Sequence, residues 1–394
     1  MKRNQKSIFI VSSFSLLFSI CTYAIKKDEG HFKNFSLGSL RNPPKNKFQL
    51  IQNISQIKKD DLFKMLRGFV FSAQGSRLVG SSGHELARQF LEKTIRVLDS
   101  EKKGLLYLDK FKPDTATAIG YYETSFQENV AKNFKKTTET YELGRRFTSS
   151  MVDFLKKNKN VEGRNIIWEK RGSLRPNDLL ILTAHYDTVI FDDKEHLSLK
   201  GPMPGADDNA SGVATALAMI KLFSHMDLPI TVRVVFLDWE EFGSLGSKAF
   251  ATKYATEIKE KNLIGFINLE MLGHDSKVGD KENHHGNMRL YIQRPGTPNH
   301  EVHKGFAHKL LEKGKKVEKG IRFKVIANSQ NLEGDMSFWR PSWPAVSFSQ
   351  NWQDDPNVKR NHTSNDFPET LNSRTLYYSY RFIAGAISGL AYGF

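Results

Sequence analysis

The sequence predicts an α/β fold, a three-layer α/β/α sandwich whose central sheet is mixed but largely parallel. From residue 164 onward, apolar runs of strand length alternate with segments of helical periodicity. The runs are almost continuously apolar, which is typical of strands that are covered by helices on both faces. Six strands are predicted, at 165–168, 179–184, 231–237, 263–269, 288–292 and 345–348.

The helical segments between these strands are recognised by one apolar face. In 210–224, for example, Val213, Leu217, Ile220 and Phe223 recur at helical spacing. The same criterion predicts five helices, at 84–97, 210–224, 244–259, 299–313 and 372–391.

The composition is that of a globular protein with material for one large core. The 394 residues are 39% hydrophobic and 26% charged, and they include 28 Phe and 5 Trp. A single domain over 61–394 is therefore predicted. The formal net charge is +15, but the basic residues are spread out and no nucleic-acid-binding motif accompanies them. The charge thus indicates a solvated basic surface and no nucleic-acid partner.

The first 24 residues have the pattern of an export signal. Three basic residues precede an apolar run over 8–20, and this run is shorter than a typical transmembrane helix. Residues 1–24 are accordingly predicted to be a signal peptide, and the mature protein to be periplasmic or extracellular. Cys21, the only cysteine, offers the alternative of a lipid anchor, but the bulky Ile20 before it favours simple cleavage.

Two further segments lack the strand and helix alternation. Residues 25–60 are basic and contain Pro43-Pro44, and they predict an exposed N-terminal arm. Residues 112–158 mix lysines, aromatic residues and acidic residues, and they predict an elaboration beside the functional face.

Five side chains that could bind a metal stand where an α/β sheet would present them, and His185, Glu241 and Glu270 fall at or just beyond predicted strand ends. The five are His185, Asp208, Glu241, Glu270 and His362. Ligands of α/β sheets gather where the carboxyl ends of the strands meet the loops. Imidazole and carboxylate together suit zinc, and one shared carboxylate could hold two ions about 3.5–4 Å apart.

Several of these residues also have an ordinary structural interpretation. A histidine after a strand is usually structural, and Asp207 or Asp208 could cap the following helix. Chemistry alone does not choose between these two aspartates. Glu240 and Glu241 end a buried strand, where paired carboxylates repel one another unless a cation lies near.

Five stretches carry a resemblance to a known family. They read TAHYD (183–187), PGADDNASG (204–212), FLDWEEFGSLGS (236–247), INLEM (267–271) and NHTSND (361–366). Their order along the chain and their local sequences resemble those of the di-zinc aminopeptidases of the bacterial leucyl aminopeptidase type. That superfamily also includes glutamate carboxypeptidase and the animal glutaminyl cyclases. The resemblance covers 165–370 well and 71–95 loosely.

The resemblance implies a role for each position. Asp208 matches a carboxylate that bridges two zinc ions, with His185 and Glu270 completing one site and Glu241 and His362 the other. Glu240 matches the general base that takes a proton from the attacking water.

Outer positions are expected to support these ligands. Asp187 could orient the imidazole of His185, as the matching residue does in the family. Asp366 lies near His362 in sequence and could hold its second nitrogen, and Asp335 is expected to join the surrounding network. Two positions depart from the family. Glu270 stands where relatives usually have aspartate, and Gly334-Asp335-Met336 stands where they often have Ser-Asp-His.

These observations predict an exported zinc aminopeptidase that hydrolyses N-terminal peptide bonds and binds two zinc ions. One alternative is a glutaminyl cyclase, although the compact EEFGSLGS stretch favours a peptidase. Another is a non-catalytic binding relative, but such proteins lose ligands and all five positions here can bind metal. Arg340 could bind a substrate carboxylate and so favour carboxypeptidase action, whereas His284-His285 is predicted to be a loop feature.

Overall fold

The computed structural model describes residues 37, 40, 42–277, 286–327 and 343–394. The predicted signal peptide with Cys21, the pair His284-His285, and Asp335 with Arg340 lie outside the described residues. The predictions for these segments therefore stay predictions.

The described chain builds one eight-stranded mixed sheet in the order β1-β2-β4-β3-β5-β8-β6-β7. The strands are β1 (Leu105–Phe111), β2 (Gly163–Lys170), β3 (Arg175–His185), β4 (Ile230–Leu237), β5 (Asn262–Leu269), β6 (Asn287–Ile292), β7 (Arg322–Ala327) and β8 (Ala345–Ser349). The centre, β4-β3-β5-β8, is parallel, whereas β1 and β2 add to one side in antiparallel fashion. Strands β1 and β7 were not predicted.

The helices lie on both faces of this sheet. They are α1 (Lys47–Ile54), α2 (Lys59–Ser72), α3 (Ser82–Leu98), α4 (Thr115–Phe126), α5 (Glu139–Asn158), α6 (Gly212–Ser224), α7 (Leu245–Lys253), α8 (Ala255–Glu260), α9 (His300–Val317) and α10 (Ser373–Tyr392). Within the described ranges, no helix has both the length and the apolar content to cross a bilayer.

Alternation along the central strands separates two apolar layers. Leu180 and Leu182 of β3 pack with buried α6, whereas Leu179 and Ile181 face the opposite side and pack with Phe250 of α7. Because successive strand residues point to opposite faces, β3 contributes to both layers. The prediction of a three-layer α/β/α fold is confirmed.

The N-terminal part of the described chain corrects one prediction. Leu50, Ile54 and Ile57 are fully buried in the larger core, and the hydroxyl of Tyr380 in α10 donates to the carbonyl of Ile54. Their spacing of four and three residues buries one side of α1 and the turn that follows it. An exposed arm over the whole of 25–60 is therefore wrong, since 47–57 belongs to the core.

The elaboration at 112–158 contains α4 and α5, which contribute to a third apolar cluster. Tyr122 of α4 and Met151 of α5 pack there with Trp239 and Phe242, which follow the carboxyl end of β4. The two helices therefore cover the edge of the sheet at which the predicted metal ligands stand.

Candidate metal centre

Strand order brings the candidate ligands to one edge of the sheet. His185 is the last residue of β3, Glu270 directly follows β5, and Glu241 follows β4 by four residues. Because β4 and β5 flank β3 and run parallel to it, the three strands end side by side. Asp208 reaches the same edge from the loop before α6.

The carboxylate of Asp208 lies between two histidines. Its Oδ1 is 3.2 Å from His185 Nε2, and its Oδ2 is 3.1 Å from His362 Nε2. Each histidine has a second carboxylate close by: Glu270 Oε1 is 3.1 Å from His185 Nε2, and Glu241 Oε2 is 3.1 Å from His362 Nε2. The cluster is therefore two half-sites that share Asp208.

These distances fit zinc coordination. With bonds of about 2.0–2.1 Å in a tetrahedral arrangement, neighbouring ligand atoms lie about 3.3 Å apart. Atoms of His185, Asp208 and Glu241 all lie within 4.8 Å of one another. In addition, the Oε1 atom of Glu241 is buried without a hydrogen-bond partner in the described structure, as suits a metal ligand. The donor set thus fits zinc, while the ligand roles stay predictions.

The carboxylates of the cluster favour positive charge on the groups that they surround. Burial lowers the pKa of His185, but the carboxylates of Glu270, Asp187 and Asp208 outweigh it and hold that pKa well above its ordinary value. For His362, burial is likewise outweighed by Glu241 and Asp208, and its pKa is also raised. Because the raised values show that the carboxylates favour a cation, a divalent ion can replace the two protons.

Glu240 occupies a different position from its neighbour Glu241. Its Oε1 accepts a hydrogen bond of 2.6 Å from the backbone N–H of Ser247, and its Oε2 accepts one of 2.9 Å from the Ser247 hydroxyl. Ser247 lies in the first turn of α7, where the partial positive charge of a helix N-terminus complements a carboxylate. The structure thus separates the two glutamates, which the pattern of residues alone did not.

Asp187 contributes more than the sequence predicted. The Nδ1 atom of His185 is 3.2 Å from the backbone carbonyl of Asp187 and 3.6 Å from its carboxylate. Since a carbonyl only accepts, Nδ1 carries the proton and Nε2 is left free to bind metal. The Asp187 carboxylate also accepts from the backbone N–H groups of Glu240 (3.2 Å) and Glu241 (3.1 Å), so it positions both ends of the centre.

Asp366 has a different contact from the one predicted. Its carboxylate accepts from the backbone N–H groups of Asp207 and Asp208 at 3.0 Å, and none of its described hydrogen bonds goes to His362. Buried N–H groups need acceptors, and a charged oxygen is a strong one. Asp366 therefore fixes the loop that presents Asp208, and its predicted hydrogen bond to His362 is wrong.

The carboxylate of Glu270 is held by two amides that the sequence did not single out. Asn209 Nδ2 lies 3.2 Å and Asn268 Nδ2 lies 3.5 Å from Glu270 Oε2, while Oε1 faces His185. The longer glutamate thus reaches the cluster despite the aspartate usual in relatives. Asn361, next to His362, donates to Asp208 Oδ2 at 2.6 Å.

A buried arginine joins two of the loops that carry ligands. Arg77 is fully buried and donates to the carbonyls of Tyr186 (2.8 Å), Pro204 (2.6 Å) and Gly205 (2.9 Å). Burial lowers its pKa to about 10, against the pull of nearby carboxylates. Gly205 has φ of +48°, and a side chain there would meet Asp208 and Arg77, which explains the glycine in PGADDNASG.

We expect Arg77→Met to destabilise the fold by about 3 kcal/mol or more, because three buried carbonyls lose a charged donor. Urea unfolding of the zinc-loaded protein measures this. The control is Arg67→Met. Arg67 pairs with Glu369 at 2.7 Å on the surface, and its loss should cost less than about 1 kcal/mol. Equal costs for the two variants would contradict the bracing role of Arg77.

A comparison with protein families identifies the chain. Residues 165–387, more than half of the sequence, match the model described as peptidase family M28. The chain belongs to peptidase family M28. The match includes all five candidate ligands and Glu240.

Individual relatives agree with this assignment. The M28 chain is 29% identical over 222 residues to a probable zinc metalloprotease of Pyrenophora tritici-repentis, a match over 54% of this chain and 47% of that protein. It is 30% identical over 115 residues to aminopeptidase YwaD of Bacillus subtilis, over 29% of this chain and 23% of the relative. The match thus spans less than half the length of these curated relatives.

A solved structure shows the same fold. The LapA aminopeptidase of Legionella pneumophila superposes with a TM-score of 0.60 at 14% identity, covering 90% of this M28 chain and 77% of that chain.

Proposed function

We propose that this M28 protein is a zinc-dependent aminopeptidase. The observation that carries the proposal is the carboxylate of Asp208, whose two oxygens face two separate imidazole and carboxylate pairs. This is the arrangement that a pair of metal ions in a hydrolytic site requires. Family membership and the relatives named as zinc metalloprotease and aminopeptidase support it.

The chemistry is divided between the metal ligands and Glu240. When bound, zinc supplies Lewis acidity, which polarises the scissile carbonyl and makes water a stronger acid. Glu240 takes a proton from the attacking water and passes it to the nitrogen of the departing amine. Ser247 keeps the Glu240 carboxylate in one orientation throughout.

The choice of a peptide's amino terminus as substrate is supported by relatives named as aminopeptidases, among them YwaD of Bacillus subtilis. Glutaminyl cyclase, on a similar scaffold, is the alternative.

Mass spectrometry of two peptides tests the proposal. Zinc-loaded protein should remove the first residue from a peptide that begins with leucine. On a peptide that begins with glutamine, loss of ammonia without shortening would show a cyclase, whereas loss of a whole residue would show a peptidase. If neither peptide changed in mass with zinc bound, the result would support a non-catalytic relative.

We further expect two zinc ions per chain at saturation, with the site of His185 and Glu270 the weaker. Glu270→Ala should lower the stoichiometry from two towards one, because it removes the carboxylate 3.1 Å from His185 Nε2. Plasma emission spectrometry of dialysed protein gives the count. Glu270→Asp is the matched control, since it keeps the charge and restores the usual residue of the relatives. A wild type that never exceeds one zinc, unchanged by Glu270→Ala, would refute the two-metal arrangement.

A further inference from the structure

A cavity of about 300 Å³ opens beside the metal centre. Its apolar wall comes mainly from the elaboration and from the segment after β3. The residues of that wall are Tyr122, Phe147, Met151, Val189 and Phe191. The first three belong to α4 and α5, so the 112–158 segment supplies most of this apolar wall.

Aromatic contacts connect this wall to the metal centre. Tyr122 packs edge-on against Phe147 (6.0 Å between ring centroids), Phe147 lies against Phe191 (5.2 Å), and Phe191 lies against His362 (5.7 Å). The hydroxyl of Tyr122 donates to the carbonyl of Glu241 at 3.3 Å. A ligand group in the cavity therefore lies next to the reacting bond.

The side chains of this wall favour an apolar ligand group over a charged one. Aromatic and aliphatic side chains line a concave space large enough for a side chain such as leucine or phenylalanine. Burial of such a side chain contributes about 1.5–3 kcal/mol. A charged side chain would lose its hydration there without a partner on the apolar wall.

The position of the cavity relative to the half-sites shows which side of the scissile bond it serves. Among the described residues, its lining includes Glu240, Glu241 and His362, but neither His185 nor Glu270. In the proposed reaction the water oxygen bonds to the carbonyl carbon, the C–N bond breaks, and Glu240 delivers the proton to the departing nitrogen. Glu240 must be within hydrogen-bond reach of that nitrogen, so a cavity that contains Glu240 and touches only the half-site of Glu241 and His362 favours the departing side.

We propose that this cavity binds the apolar side chain of the residue that follows the scissile bond, the second residue of the substrate. Helices α4 and α5 thereby set the preference at that position. The first residue of the substrate then lies at the half-site of His185 and Glu270. This inference rests on the peptidase function proposed above.

Two dipeptide series test the proposal, with kcat/KM measured for each member. In Leu-Xaa, the wild type should prefer Phe or Leu over Gly at the second position by about tenfold or more. In Xaa-Ala, the same cavity should have no influence. Failure to hydrolyse any dipeptide would overturn the peptidase function itself, whereas hydrolysis with no preference at the second position would overturn only this inference.

A charge placed in the cavity gives a sharper test. Ser125 is a half-buried lining residue on α4, so Ser125→Asp should lower kcat/KM for Leu-Phe about tenfold and raise it for Leu-Lys. Thr124→Asp is the matched control, because Thr124 is exposed on the same helix and outside the lining. Zinc content and the thermal midpoint should match wild type in both variants. A shift in the Xaa-Ala series instead, or equal shifts in the two variants, would overturn the proposal.

Discussion

Glu240→Gln should reduce kcat by about 10²–10⁴-fold while zinc stays bound. Glutamine keeps the shape of glutamate but cannot take a proton from water. The contacts of the side chain survive the change: the amide oxygen can accept from the backbone N–H of Ser247, and the amide nitrogen can donate to its hydroxyl. Steady-state kinetics with a leucyl peptide, together with zinc analysis, measure both quantities.

The neighbouring glutamate provides the contrast. Glu241→Gln should lose zinc as well as activity, because Glu241 Oε2 lies 3.1 Å from His362 Nε2 within the ligand cluster. If Glu240→Gln retained wild-type turnover, or if both variants lost zinc equally, the assignment of Glu240 as the base would be wrong.

Asp208→Asn should bring zinc binding below one ion per chain and lower kcat/KM by about 10³-fold or more, since metal assistance is worth several kcal/mol. The amide oxygen will take the place of Oδ2, where Asn361 donates at 2.6 Å. The amide nitrogen then faces His185 and cannot bind metal. One half-site loses its ligand, and the whole centre loses the shared negative charge.

Asp207→Asn is the control for this variant. Burial raises the pKa of Asp207 to about 8, and its carboxylate accepts from Gly273 N–H and Asn357 Nδ2 away from the histidines. The change alters a buried aspartate next to Asp208 without altering the ligand cluster. Zinc stoichiometry should therefore stay at the wild-type value, as equilibrium dialysis can check. Equal zinc loss in both variants would show that loop disruption, and not the bridging carboxylate, explains the effect.

Much of the fold could be predicted because the central strands are apolar on both faces. The predicted strand at 179–184 lies within Arg175–His185, and the strand at 263–269 lies within Asn262–Leu269. Strand β1 was missed because LLYLDKF mixes polar and apolar residues at the sheet edge. Helix α1 was missed because its basic, proline-flanked surroundings obscured the apolar spacing of Leu50, Ile54 and Ile57.

The candidate site was likewise predicted only in part from the sequence. Positions at strand ends and the local sequence motifs indicated the five candidate ligands, and the structure brings these five residues together. Asp366 was paired with His362 because only four residues separate them, yet its hydrogen bonds reach back 158 residues or more to a loop backbone. Arg77 could not be recognised because its partners are backbone carbonyls, which every residue possesses.

The contacts of Asp366 also determine when the centre can exist. The carboxylate that fixes the Asp208 loop and the imidazole of His362 both come from the last tenth of the chain, whereas His185 precedes its midpoint. Contacts between residues so distant in sequence form only after most of the polypeptide is available. During synthesis, the nascent protein therefore carries an incomplete ligand cluster until about residue 366 has left the ribosome. A fragment that ends before His362 should be inert, however well its first strands pair.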